Sequence, residues 1–199
     1  MTKNKVQPKV FVITGATGVG KTTITRYLHD HYHMPRVITH TTRPPREKEV
    51  DGVSYYFETD ASFAQNHYLE RVVYAGAQYG SSFEGLERAW EKAPLITIVL
   101  DTAGAITYAR ELGERAVILF VTVNDPQTLI ERVTVRGDDP RAIEARVASA
   151  EFERDRQLPA ELVGKAIVVP NDYWSTTKNT LDRIVGDVMA GRSIVKSES

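Results

Sequence analysis

Cysteine is absent from the 199-residue chain, which excludes disulfides and thiolate metal sites. Charge of one sign is also scarce. The 25 Lys and Arg residues stand against 26 Asp and Glu, a net charge of −1, with no long block of either sign. That balance argues against a general nucleic-acid binder and against a polybasic membrane binder. No apolar run approaches membrane-spanning length. The polar stretch 1–9 leads straight into the first apolar run and lacks the form of a signal peptide. The cytoplasm is therefore the expected compartment. Hydrophobic content of 42% and charged content of 26% are ordinary for a globular protein. The length suits one sizeable core, or a core with a small insertion.

What is present begins with Gly15-Ala16-Thr17-Gly18-Val19-Gly20-Lys21-Thr22. This stretch fits the phosphate-binding pattern G-x-x-x-x-G-K-[ST] at every fixed position. Val10, Phe11, Val12 and Ile13 before it read as a buried strand, whereas Ile24, Tyr27, Leu28 and His31 after it follow helical spacing. A strand turning through glycines into a helix aims several backbone N–H groups at one point, where the helix N-terminus adds partial positive charge. Lys21 can then reach the β- and γ-phosphates of a nucleotide, and the Thr22 hydroxyl can ligate Mg²⁺.

Five apolar, β-branched runs read as buried parallel strands, at 10–14, 36–40, 95–101, 116–123 and 166–169. Helical patterns lie between most of them. Asp125 with Pro126 reads as a helix start, followed by an inward stripe of Leu129, Ile130 and Val133 and a stop at Gly137. Ile143, Arg146, Val147 and Ala150 mark a further helix. Ser175 is expected to cap the last one, with Leu181, Ile184, Val185 and Val188 facing inward. The alternation implies a doubly wound α/β sheet with its ligand at the C-terminal strand ends. The expected core comprises 1–40 and 91–190. Residues 41–90, rich in Tyr, Thr, Gly and charge, read as an inserted small domain with a strand-like piece at 53–57. A lid is expected near 136–150, its charged part at 136–141, and a frayed tail over 191–199.

A second anionic site follows from Thr39-His40-Thr41-Thr42-Arg43-Pro44-Pro45-Arg46. Two guanidinium groups three residues apart lie in a proline-stiffened turn. Tyr55 follows, and later Gln78-Tyr79-Gly80-Ser81. Two arginines and two phenol hydroxyls can hold a phosphate monoester at several oxygens, as a phosphorylated acceptor requires.

These pieces together resemble the guanylate kinase family. Besides those already named, the likeness rests on Glu49-Val50-Asp51-Gly52, Tyr68-Leu69-Glu70, Leu100-Asp101 with Gly104-Ala105, Arg136-Gly137 and Asn171-Asp172, and it runs from about Val10 to Asp172. The resemblance implies a P-loop nucleoside monophosphate kinase fold, a five-stranded parallel core sheet with an inserted acceptor-binding domain and a lid. It implies transfer of the γ-phosphoryl group of ATP to GMP or dGMP with Mg²⁺. Carried over by residue, Gly15, Ala16, Thr17, Gly18, Val19, Gly20, Lys21, Thr22, Thr23 and Asn171 would bind ATP. Arg43, Arg46, Tyr55 and Tyr79 would hold the acceptor phosphate, and Thr39, Glu70 and Ser81 would face the guanine. Arg132, Arg136 and Arg146 resemble arginines that approach the transferring phosphoryl group. Asp101 would act near the Mg²⁺ and the acceptor phosphate.

The Glu70 role has a physical basis. Guanine offers N1–H and N2–H₂ as adjacent donors, and a carboxylate accepts both. Adenine would set an acceptor at N1 against it.

The chain also departs from the family pattern. A second aspartate is usual two residues beyond the first, where this chain has Ala103. The stretch before Glu70 is shorter by ~4 residues, about one helical turn, and 154–165 lacks the expected tyrosine pattern. These changes touch the acceptor side. A kinase for another phosphorylated acceptor, another purine monophosphate or a ribose phosphate, therefore stays open, as does a non-catalytic binding module. Lys21 and Thr22 speak against the latter. His29, His31 and His33 alternate at a helix end, where residues two apart diverge, so no metal site is expected there.

Overall fold

The computed structural model describes residues 6–74, 76–135, 150–194 and 196. Strand β1 (Lys9–Thr14), β6 (Leu95–Val99), β7 (Ala116–Thr122) and β8 (Ala166–Pro170) form a parallel sheet in the order β6-β1-β7-β8. Their near-continuous apolar runs suit a sheet covered on both faces. Alternate residues serve the two faces. Phe11, Ile13, Leu119 and Val121 pack toward α1 (Lys21–Tyr32) and the last helix (Trp174–Met189), while Val10, Val12, Ile118 and Phe120 pack toward α3 (Phe83–Lys92) and α4 (Thr102–Leu112).

A second sheet joins β2 (His40–Thr41), β3 (Tyr56–Phe57), β4 (Tyr68–Tyr74) and β5 (Ala77–Ser82) in the order β3-β2-β5-β4. The short helix α2 (Asp60–Phe63) is closed by a capping box between Thr59 and Ser62. This sheet occupies most of the stretch read as an insertion. Leu69 of β4 and Leu86 of α3 belong to the same apolar cluster as Val10 and Val12, so the smaller sheet shares core with the larger one. The remaining α-helices among the described residues are α5 (Pro126–Val135), α6 (Ala150–Arg156) and α7 (Trp174–Met189). Among the described residues no helix is long and apolar enough to cross a membrane.

Among the described residues the core sheet has four strands, not the five expected. The run 36–40 makes a single bridge, Arg36 to Thr97. Val37 N–H donates to Thr97 O at 2.8 Å and Thr97 N–H to Pro35 O at 2.9 Å. Pro35 has no N–H to extend that ladder. By His40 the chain pairs with Gly80 and Tyr56 in the other sheet. An apolar run thus served as a crossing between sheets.

Two further expectations are corrected. Ser175 does not cap α7; Tyr173 is the N-cap, without a side-chain bond. The start of the tail is tied down, since Arg192 pairs with Asp187 at 2.7 Å and Ile194 packs on the core. The lid expected near 136–150, with Arg136 and Arg146, lies outside the described residues apart from Ala150, the first residue of α6.

Candidate active site

The loop between β1 and α1 follows from its glycines. Gly15 has φ +126° and Gly20, the N-cap of α1, has φ +99°. A Cβ at Gly15 would stand 2.3 Å from Val121 O, and one at Gly20 would stand 2.3 Å from Asn171 Nδ2. Both conformation and space therefore demand glycine. Lys21 Nζ folds back to donate to the carbonyls of Gly15 and Ala16, the latter at 2.9 Å. Thr22 is exposed on the first turn.

Asn171 is buried beneath this loop. Its Nδ2 donates to Val19 O at 2.7 Å and its Oδ1 accepts from Thr177 Oγ1 at 2.9 Å. Its side chain is thus committed to bracing the loop. Arg132 of α5 donates to Asn171 O at 2.9 Å, which sets a guanidinium at the loop's rim.

Across the cleft, Arg43 Nη2 donates to both oxygens of Glu49 at 2.9 Å, and Glu49 also accepts the Arg46 N–H at 2.8 Å. Glu49 holds the Arg43 guanidinium still more firmly protonated, with Tyr79 adding a smaller effect. The Arg46 N–H, countered by burial and joined by Arg43, lowers the Glu49 carboxyl below its usual range. The Arg43 guanidinium lies 5.6 Å from the Tyr55 ring centroid, and Tyr55 meets Tyr79 edge to face at 6.2 Å. Arg43, Tyr55 and Tyr79 therefore come together, while Arg46 stays exposed beside them. Glu49 was named from sequence only within the segment 49–52, without a role of its own. Its spacing three residues after Arg46 was the available signal.

Glu70 and Ser81 are register partners in β4 and β5, and Ser81 Oγ donates to Glu70 Oε1 at 3.3 Å. Burial first, then the charge of Asp101, pushes the Glu70 carboxyl up to about 7, against a smaller lowering by Ser81. Tyr108 of α4 is fully buried beside this pair, and burial raises its phenol. His40 bridges Glu58 and Ser82 at 2.8 Å each, but His40 and Ser82 are both buried, so this trio ties the small sheet together.

Asp101 does not end the strand β6. It caps α4, accepting the Gly104 N–H at 2.8 Å, and it pairs with Arg154 of α6 at 2.9 Å. Its charge acts on Glu70. Ala103 is exposed on the first turn of α4. The strand's last residue is Val99.

A cavity of about 490 Å³ lies between α1 and the small sheet, with Thr22, Arg26, Arg36, Thr39, Tyr55 and Val99 in its lining. A larger one of about 640 Å³ opens around Lys9, Ala116 and Lys165, at the N-terminal strand ends. Size favours the second, but ligands of open α/β sheets bind at the carboxyl ends of strands. The smaller cavity is there and carries Thr22, so it is the candidate site.

The residues fit Mg²⁺ in part. A hard dication takes oxygen ligands, usually one or two carboxylates together with phosphates. Thr22 offers a hydroxyl, and no Asp or Glu lines the cavity among the described residues. That donor set suits a metal carried in on a nucleotide.

Strand, glycine loop and a helix opening on lysine define a P-loop nucleotide-binding protein, here with Tyr55 of the arginine–tyrosine group in the lining of a cavity shared with Thr22. The model of the guanylate kinase family matches residues 7–187. Guanylate kinase of Thermus thermophilus is 35% identical over 150 residues, covering 73% of this chain and 68% of that protein. Guanylate kinase of Neisseria meningitidis is 33% identical over 190 residues, covering 92% of this chain and 90% of that protein. The crystal structure of guanylate kinase from Anaplasma phagocytophilum shares the fold, with a TM-score of 0.60 at 19% identity over 96% of this chain and 89% of that one. The chain belongs to the guanylate kinase family.

Proposed function

We propose that this protein transfers the γ-phosphoryl group of ATP to GMP, giving ADP and GDP. One observation carries the reading. Thr22 of the phosphate loop and Tyr55 of the arginine–tyrosine pocket line the same cavity, so donor and acceptor phosphates would meet there.

In this reading the loop at 15–22 wraps the donor phosphates with backbone N–H groups. Lys21 leaves the Gly15 and Ala16 carbonyls and turns to the transferring phosphate. Thr22 would ligate Mg²⁺, which neutralises phosphate charge when bound. Arg43, Arg46, Tyr55 and Tyr79 hold the acceptor phosphate, with Glu49 fixing the Arg43 fork. Glu70 and Ser81 read the guanine edge, and Thr39 borders it. An acceptor phosphate is already ionised, so no strong general base is needed. Catalysis is positioning and charge stabilisation. Arg132 stands on the donor side. Arg136 and Arg146 would complete the charge stabilisation from the expected lid.

ADP release from ATP, measured with a panel of nucleoside monophosphates, tests this. GMP or dGMP should be the best acceptor, and Lys21→Ala should lower turnover by orders of magnitude without loss of fold. No release above background with GMP, in protein shown to be folded, would defeat the reading.

A further inference from the structure

P-loop phosphotransferases commonly hold Mg²⁺ with the loop hydroxyl and a carboxylate at the end of a neighbouring strand. Here that neighbour is β6, whose last residue Val99 pairs in register with Ile13, next to the loop. Val99 is 36% exposed, unusual for a valine on a buried sheet, and it lines the cavity with Thr22. Among the described residues the only charged or titratable side chains beside it there are Arg26, His29, Arg36 and the Tyr55 phenol, and none is an acid. The nearest carboxylate along the chain, Asp101, is engaged elsewhere, by the Gly104 N–H and by Arg154.

We propose that Val99 occupies the place of the strand-end carboxylate, so that the described residues contribute a single ligand, the Thr22 hydroxyl, to the metal. The inference rests on reading the loop at 15–22 as the donor site. Its chemical consequence is that Mg²⁺ affinity is set by the nucleotide phosphates. An apolar wall and two guanidinium groups add nothing for a dication, and the guanidinium groups oppose it.

Mn²⁺ serves as the probe, with free Mn²⁺ read by electron paramagnetic resonance and ADP binding read by calorimetry. Wild-type protein saturated with ADP should bind Mn²⁺ within about threefold of ADP in buffer, and Val99→Asp should tighten this by about tenfold or more. Asp101→Asn should leave Mn²⁺ affinity unchanged. The proposal is overturned if wild-type protein with ADP holds Mn²⁺ more than about tenfold tighter than ADP alone. It is equally overturned if Asp101→Asn weakens Mn²⁺ binding. The wild-type titration decides even if Val99→Asp does not fold. Absence of ADP binding would instead remove the donor-site reading, and the proposal with it.

Discussion

Glu70 can serve guanine only as a carboxylate, yet its burial and the Asp101 charge push it up to about 7. GMP affinity should therefore fall as pH drops below about 7, approaching tenfold per unit. Calorimetric titration of GMP from pH 5.5 to 8.5 measures this, and a flat profile would remove Glu70 from base recognition. The same shift acts on stability. Between the ordinary carboxyl value of 4.5 and about 7, the folded state holds a proton that the unfolded state has lost. Stability from this group is thus fully present below the lower value and is lost as pH rises through the upper one. Glu70→Gln should therefore be more stable than wild type at pH 8, by at most about 3 kcal/mol, with the gap narrowing toward pH 5. Urea unfolding at the two pH values checks the sign. Glu49 acts differently, through Arg43, whose fork it receives on both oxygens. Glu49→Ala should raise the KM for GMP by about ten- to a hundredfold, the worth of a charge-assisted bond of ~1.5–3 kcal/mol. Steady-state rates with GMP varied, and ATP varied separately, measure it. An equal rise in the KM for ATP would place Glu49 outside the acceptor pocket.

At the scale of elements, β1, the loop and α1 act as one unit. Gly20 sits at φ +99° against Asn171, whose amide is held by Val19 and Thr177 and cannot yield. Gly20→Ala should cost about 1–3 kcal/mol of backbone strain and misplace the N–H groups that meet the donor phosphates. ADP affinity by calorimetry should drop sharply while GMP affinity changes little. Unchanged ADP affinity would mean that the loop does not bind phosphate. This unit was legible from sequence because its evidence is local: an apolar strand, glycines at fixed spacing, then helical periodicity. The segment 36–40 was misread because its apolar run satisfies a strand pattern while its partners lie in two different sheets. The end of the strand run 95–101 was misplaced for a related reason. The strand β6 stops at Val99, because Asp101 is taken up as the cap of α4. Spacing in sequence does not record that choice. Arg43, Tyr55 and Tyr79 were found by residue type, while Glu49 needed the observed contact to acquire a role.

For the whole molecule, the question is whether the acceptor-side sheet can part from the core. The two apolar clusters lie on opposite faces of the parallel sheet, and β1 and β7 supply both. Leu69 and Leu86 bring the acceptor side into one of them. Stripping either face would expose the strands that the other face needs, so unfolding should be a single cooperative transition. The chain offers a tryptophan on each face. Trp90 packs against the cluster that contains Leu69, and Trp174 packs against the cluster on the α1 side. Trp174→Phe leaves Trp90 as the only indole reporter, and Trp90→Phe leaves Trp174. Each substitution shifts the midpoint by itself, so the comparison belongs within a variant, between its tryptophan fluorescence and its far-ultraviolet circular dichroism. In both variants the two urea curves should coincide, with the same midpoint and slope. A fluorescence transition that precedes the dichroism only where Trp90 reports would show the acceptor side detaching first. The shared core would then be too weak to couple the two sheets.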